Sequence, residues 1–289
     1  MGGRVVVVGS FMMDLVARTS RLPKPGETVI GESFAMFLGG KGFNQAVAAA
    51  RADGDVAMVG RVGGDDFGRR FLAALDAEGI DRTGVSVDPR VGNGVGLPVV
   101  ESSGQNAIVV IPQANHELTP SLLPREVIAG ASVVLLQWEL PEPVAVEAAR
   151  IAREAGATVI LNPAPAVGDI AAFEGLIDVL VPNEHEASVL GEVGGVDIVL
   201  TLGEKGSRVV ERDGATTDIA PHVVDCVDTV GAGDAFCGAL AASLAGGASL
   251  VDAARIGNAA GACAVTIEGA EPSMPRRAAI DALLQGRTS

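Results

Sequence analysis

The sequence predicts an α/β protein: a central, mostly parallel sheet flanked by helices, with a small β-sheet lid outside it. Three observations carry this. Short β-branched runs recur without polar alternation, as in strands buried on both faces. Ala-rich segments of helical length separate them. Two stretches punctuated by Pro and Gly break the alternation and read as short extra strands.

Taken in order, Arg4–Gly9 (RVVVVG) is the first core strand, and strands follow at Val56–Gly60, Ser132–Leu136, Thr158–Leu161, Val179–Val181 and Ile198–Leu202. Helices are expected at Asn44–Ala52, Phe67–Glu78, Pro143–Ala155, Glu184–Leu190 and Ala235–Leu244. Residues 15–38 hold two prolines and short alternating runs, and residues 93–111 read as a hairpin turning at Ser102–Gln105. These two stretches are assigned to the lid. Residues 1–14, 39–92 and 112–289 then make the α/β domain, so the lid is discontinuous in sequence. No internal repeat or low-complexity linker is evident.

A chain of 289 residues suits one large domain with a small appendage. With 48% apolar and 20% charged residues, it is not a disordered composition. Lys and Arg number 21 against 36 Asp and Glu, a net charge of −15. Such a surface repels nucleic acid and anionic membranes, so neither is an expected partner. The three cysteines, Cys226, Cys237 and Cys263, lack metal-ligand spacing and read as reduced thiols of a cytoplasmic protein. The opening MGGRVVVVGS reads as a strand and turn, too short for a signal-peptide core. No apolar run reaches the roughly 18 residues of a membrane span.

Ligands of an open α/β sheet gather at the C-terminal ends of its strands. Three motifs at expected strand ends, and one Gly-rich turn opening a helix, point there. In VDTVGAGDAF (227–236), Gly231 and Gly233 let N–H groups converge, and the following helix adds its positive end. This cradle suits a phosphoryl group. Asp234 beside it is electrostatically misplaced unless it takes a proton from an attacking hydroxyl; the alternative is an ordinary N-cap aspartate. In GGKGFN (39–44), Lys41 and Asn44 share a helix face and suit a sugar or phosphate, or else the lysine is merely solvated. In NEHE (183–186), Glu186 suits water-mediated Mg²⁺ and Asn183 a phosphate, yet the pair equally suits a capping box. TLGEKG (201–206) offers backbone to an adenine or ribose, or is an ordinary hairpin turn. Glu139 closes a strand within reach of substrate, whereas Trp138 reads as packing. His116, His185 and His222 are scattered and carry no site. A Walker A loop is absent, and no GxGxxG follows the first strand, which argues against an NAD-dependent enzyme.

The chain resembles the ribokinase branch of the ribokinase-like (PfkB) carbohydrate kinases nearly end to end. The resemblance rests on GSFMMD (9–14), PKPGETV (23–29), GGKGFNQAVAAAR (39–51), QANHELTP (113–120), LLQWELP (135–141), LNPAPA (161–166), PNEHEA (182–187), TLGEKG (201–206), DTVGAGDAFCGAL (228–240) and EGAEPSMP (268–275). It implies ATP-dependent phosphorylation of D-ribose at the 5-hydroxyl. Asp234 is then the base, and Gly231, Ala232 and Gly233 the anion hole. Asp14, Gly40, Lys41, Asn44 and Glu139 are the implied ribose contacts. Asn183, Thr201, Gly203, Gly206 and Asn258 fall on the ATP side, with Glu186 holding Mg²⁺ through water. Asp228, Val230, Ala264, Ile267, Gly269 and Ser273 match loops that hold an activating monovalent cation, usually K⁺, mostly through backbone carbonyls. The family's lid excludes water on closing and pairs with that of a second chain, so a homodimer is implied.

Four positions depart from the pattern. Met12 stands where the family often has Asn, Phe43 where a small residue is usual, and Gln113 where Gly is common. Met12 replaces one polar sugar contact with a thioether, and Phe43 and Gln113 are each expected to narrow the sugar pocket or reshape the lid. Leu190–Asp197 is short where another helix is usual. Two other readings compete: a kinase of this family acting on deoxyribose, another sugar or a nucleoside, and a ligand-binding sensor without catalysis. The presence of Asp234 and Gly231–Gly233 argues against the sensor.

Overall fold

The computed structural model describes residues 2–287. Strand β1 (Arg4–Val8) lies inside the main sheet, and its side chains alternate between two cores. Val5 and Val7 join one, Val6 and Val8 the other, and all four are buried. A parallel strand covered by helices on both faces needs apolar residues at every position, which is why RVVVV shows no alternation.

The chain then leaves the sheet for β2 (Met12–Thr19) and β3 (Ser33–Gly39). It returns through α1 (Lys41–Arg51) to β4 (Asp55–Gly63), and through α2 (Asp66–Ala77) to β5 (Asp81–Asp88). A second excursion forms the hairpin of β6 (Gly94–Glu101) and β7 (Asn106–Ile111), which turns at residues 102–105. After α3 (Arg125–Ala129) come β8 (Val133–Gln137), α4 (Glu142–Glu154), β9 (Thr158–Asn162), β10 (Val179–Leu180), α5 (Glu184–Leu190) and β11 (Asp197–Thr201). Strand β12 (Ser207–Val210) and the edge strand β13 (Thr216–Ile219) precede α6 (Ala232–Ala245), α7 (Leu250–Ala264) and α8 (Arg277–Leu284).

The nine-stranded sheet runs β13-β12-β11-β10-β9-β8-β1-β4-β5, parallel throughout except for the antiparallel β12 and β13. The strand order reverses beside β1, which pairs with β4 on one side and β8 on the other. Connections diverge at such a switch point and leave a crevice at the strand ends. Ser10 follows β1 there, and Glu139 follows β8. One face of the sheet is covered by α1, α2, α6, α7 and α8, the other by α3 and α4. Helix α6 is buried almost all round and built from small residues. A Cβ at its Gly238 would lie 2.5 Å from Gln45 O, so α6 and α1 touch backbone to backbone. That contact brings their first turns together.

The small sheet is separate, ordered β3-β2-β6-β7. Its two hairpins are antiparallel and join through the parallel pair β2–β6, so the sheet is mixed. Its apolar side chains Phe34, Met36 and Ile108 to Ile111 are exposed. Residues 191–196 form an irregular link into β11 with no helix of their own. Among the described residues, no helix is long and apolar enough to cross a membrane.

Candidate active site

Gly231 is the N-cap of α6, with φ 81° and ψ −9°. Side-chain-bearing residues adopt this left-handed conformation only at a cost. A Cβ here would also lie 2.8 Å from Met274 Cε. Ala232 N donates to Thr229 O at 3.3 Å, whereas the N–H groups of Gly233 and Asp234 have no main-chain acceptor among the described residues. They stand at the positive end of a 14-residue helix.

The helix begins at Ala232, three residues before the expected start at Ala235. Asp234 therefore lies within the first turn, and the N-cap alternative for it fails because Gly231 is the cap. Its carboxylate, 6% exposed, points across to α1. Asn44 Nδ2 donates to Oδ2 at 3.0 Å and Gln45 Nε2 to Oδ1 at 2.9 Å. Asn44 Oδ1 is buried with no partner among the described residues, so this amide holds Asp234 with one end and presents an acceptor with the other.

Gly40, at φ 90°, is the N-cap of α1. Lys41 N donates to Glu139 Oε2 at 2.8 Å, and the Ser10 hydroxyl donates to the same oxygen. The carboxylate of Asp234 holds the Lys41 ammonium above the usual lysine range, against burial. Burial pushes the Glu139 carboxyl up, while Lys41 and Ser10 pull it back. Asp14, on β2, is pushed up to about 6, first by burial and then by Glu139. Its register partner on β6 is Gly96, where a Cβ would collide with its carboxylate.

A cleft of about 210 Å³ runs from Lys41 and Asp234 past Gly231 and Gly233 to Asn183, Glu186 and Thr201. Asn183 and Glu186 do form a capping box, with Oδ1 accepting from Glu186 N and Oε2 from Asn183 N, both at 2.8 Å. Both still line the cleft, so capping does not withdraw them from a ligand. Gly203 and Gly206 bound the tight turn between β11 and β12, the hairpin alternative for TLGEKG. Asn258, on α7, donates to Ala220 O at 2.9 Å. These three do not line the cleft. Asp14, Gly40 and Glu139 form a further group beside Lys41.

Asp228 ties two loops together: Oδ1 accepts from Val230 N at 3.0 Å and Oδ2 from Gly269 N at 2.9 Å. Ala264 O accepts from Ile267 N at 3.2 Å, and the buried Ser273 hydroxyl donates to Ala270 O at 2.8 Å. Ala270 in turn abuts Gly231. The six residues matched to cation loops are thus contiguous with the wall behind the α6 N-terminus. Among the described residues, no cluster of three or more His, Cys, Asp or Glu side chains could hold a metal.

Two of the four departures read differently in three dimensions. Phe43 does not line a sugar pocket: it is fully buried in an aromatic trio, 4.9 Å from the Phe71 ring and 6.2 Å from the Phe11 ring. Gln113 sits at φ 45°, a conformation glycine takes freely, and its Nε2 donates to Asn93 O at 2.8 Å. Met12 is buried, and its Sδ accepts from Asn115 Nδ2 at 3.3 Å. Sequence reasoning passed over Ser10, Gln45 and Asn162. A polar side chain closing an apolar strand, or standing in an Ala-rich buried helix, was the available signal.

A buried carboxylate beside free helix N–H groups, with an ammonium nearby, can accept a proton while neighbouring negative charge is neutralised. Residues 3–277 match the profile of the pfkB family carbohydrate kinases. The chain is 38% identical over 298 residues to a ribokinase of Bacillus subtilis, covering 97% of this chain and 99% of that one. It is 34% identical over 258 residues to a deoxyribokinase of Salmonella typhi, covering 82% and 84%. The structure of an Arabidopsis thaliana ribokinase complexed with ribose and ATP superposes with a TM-score of 0.92 at 32% identity, covering 99% of each chain.

Proposed function

This chain belongs to the pfkB family of carbohydrate kinases and is an ATP-dependent sugar kinase; we propose that its acceptor is the 5-hydroxyl of D-ribose and that Asp234 is the base. One observation carries the reading. The Asp234 carboxylate is held by two amide donors in the first turn of α6, beside main-chain N–H groups without acceptors.

The acceptor hydroxyl gives its proton to Asp234, its oxygen bonds to the γ-phosphorus of ATP, and the bond from that phosphorus to the ADP oxygen breaks. The N–H groups around Gly231, Ala232 and Gly233 face the charge on the phosphoryl oxygens, and the protonated Lys41 ammonium adds to them. Asp14, Gly40, Lys41, Asn44 and Glu139 hold the ribose. Asn183 and Thr201 hold ATP from within the cleft, and Gly203, Gly206 and Asn258 flank it on the nucleotide side outside the cleft.

Mg²⁺, when bound, draws charge from the phosphates. Glu186 suits it through water, since Oε2 is committed to Asn183 N while Oε1 has no protein partner among the described residues. A monovalent cation, usually K⁺ in this family, fits Asp228 and the main-chain oxygens of Val230, Ala264, Ile267, Gly269 and Ser273. When bound, it stiffens the loops against which Gly231 packs. Residues 15–38 and 93–111 act as the lid and exclude water on closing. The exposed apolar side chains of β3 and β7 favour lid-to-lid pairing in a homodimer. ATP supply and free thiols favour the cytoplasm.

The alternative acceptors are deoxyribose, another sugar or a nucleoside. Among these, Met12 favours deoxyribose, because a sugar lacking one hydroxyl needs one polar partner fewer. ADP release from Mg-ATP with ribose, 2-deoxyribose, fructose and adenosine separates these readings. Asp234→Asn tests the mechanism: kcat falls by about 10²–10⁴, while ribose and ATP still bind. Unchanged turnover in that variant overturns the assignment.

A further inference from the structure

We infer that Gln45 is a positioning residue for the Asp234 carboxylate, oriented by a buried relay of amides that starts at the main-chain carbonyl of Val181. This rests on the reading of Asp234 as the base.

A carboxamide has a donor end and an acceptor end, so each link in a chain of amides fixes the next. Val181 O can only accept, so the Asn162 atom facing it at 2.8 Å is Nδ2. Asn162 Oδ1 therefore faces Gln45, and the Gln45 atom 3.1 Å away is Nε2. The other Gln45 atom is Oε1, which accepts from Gln137 Nε2 at 2.7 Å. Gln45 Nε2 thus spends one hydrogen on Asn162 and has one left, and it points this one at Asp234 Oδ1, 2.9 Å away. Three elements converge: α1 supplies Gln45, β8 Gln137 and β9 Asn162.

All three amides are at least nine-tenths buried. Gln137 Oε1 ends the relay without a donor among the described residues. Stranding a buried carbonyl oxygen destabilises a fold, so packing alone gives no reason for this row of amides. Its product is a fixed direction: a flipped Gln45 would set Oε1 against Asp234 Oδ1, two acceptors in contact. The relay forbids the flip from both ends. Asn44 then holds Oδ2, and the carboxylate plane cannot rotate. The lone pairs that receive the substrate proton are aimed before substrate arrives.

The test is a double-mutant cycle on the full chain, following ADP accumulation from Mg-ATP and D-ribose. Gln45→Met keeps length and flexibility but removes both amide atoms. It lowers kcat by about 10- to 100-fold, leaving KM for ribose and ATP within about twofold. Joined to Asp234→Asn, it costs nothing further, because no carboxylate remains to aim. Asn162→Leu and Gln137→Met approach the relay from β9 and β8, so the test survives if Gln45→Met does not fold. Both lower kcat with KM unchanged, and Gln137→Met does so less than Asn162→Leu. Wild-type kcat in Gln45→Met, or an equal loss in the Asp234→Asn background, overturns the relay. Full turnover in Asp234→Asn alone overturns the base assignment instead.

Discussion

Replacing Gly42 with alanine tests whether the first turn of α1 is set by the strand end beneath it. A Cβ at position 42 would lie 2.5 Å from both the carbonyl carbon and the Cα of Gly9. Ordinary contact begins near 3.4 Å, so helix and strand end must separate by about 0.9 Å. Both are pinned: Gly9 N donates to Val59 O, and Phe43 N to Ser10 O, each at 3.0 Å. If α1 retreats, the bonds from Asn44 and Gln45 to Asp234, now 3.0 and 2.9 Å, open to about 3.9 and 3.8 Å and are lost. Overpacking of this kind costs about 1–3 kcal/mol. For a chain of this length that lowers the melting temperature by roughly 2–5 °C. A displacement near 1 Å at reacting groups costs about 10²-fold in turnover. Thermal melts and ADP-coupled kinetics read the two effects on one preparation. Gly42→Ala with wild-type kcat would refute the reasoning, since α1 would then yield without disturbing Asp234.

Three further outcomes are expected. Asp14, with its carboxyl raised from 3.8 to about 6, binds its proton more tightly folded than unfolded. Folding stability therefore falls as pH rises from about 4 to about 6, by at most about 3 kcal/mol. Asp14→Asn removes that loss: it melts above wild type near pH ~8, matches it near pH ~4, and binds ribose more weakly. Equal melting across a pH series would contradict this. Phe43→Ala removes one fully buried ring of the aromatic trio and costs about 3–5 kcal/mol by urea denaturation; a loss under about 1.5 kcal/mol, as in volume-conserving swaps, would contradict it. Native protein treated with Ellman's reagent shows fast reaction at Cys226 alone. Cys226 is exposed, while burial raises the thiol pKa of both Cys237 and Cys263. Rapid labelling of Cys237 would count against the buried α6.

The central strands are legible in the sequence because burial on both faces writes tertiary position into local composition, as in RVVVV. Strands β5, β12 and β13 are not: DRTGVSVD and TTDI form the two sheet edges and SRVV lies next to one of them, all partly exposed and without a comparable run. The α6 boundary shifted because Gly231 caps the helix through backbone conformation, which leaves no side-chain signature. Asp234, Lys41, Asn44 and Glu139 were legible as types at turn and strand-end positions. The bonds that join Asn44 and Gln45 to Asp234 span 190 and 189 residues, and no local pattern records a pairing at that separation. Phe43 misled for a geometric reason. It is adjacent to Asn44 in sequence, yet one helical residue is about 100° of rotation, so Asn44 meets Asp234 while Phe43 enters the core.

The parallel pairing of β2 with β6 sets an order of assembly. Met12 pairs with Gly94, and the chain between them contains α1, β4, α2 and β5. Closing that loop before the large sheet exists would cost chain entropy with few contacts in return. The four-stranded sheet therefore forms late in refolding and opens early in unfolding. Amide hydrogens of β2 and β6 exchange with solvent sooner than those of β1 and β8. Asp14 lies in β2, so its carboxylate reaches the crevice only at that last step. A refolding chain thus passes through a stage in which the Asp234 side is built and the Asp14 side is not. Nucleotide protection regained before sugar protection is the kinetic signature of that stage.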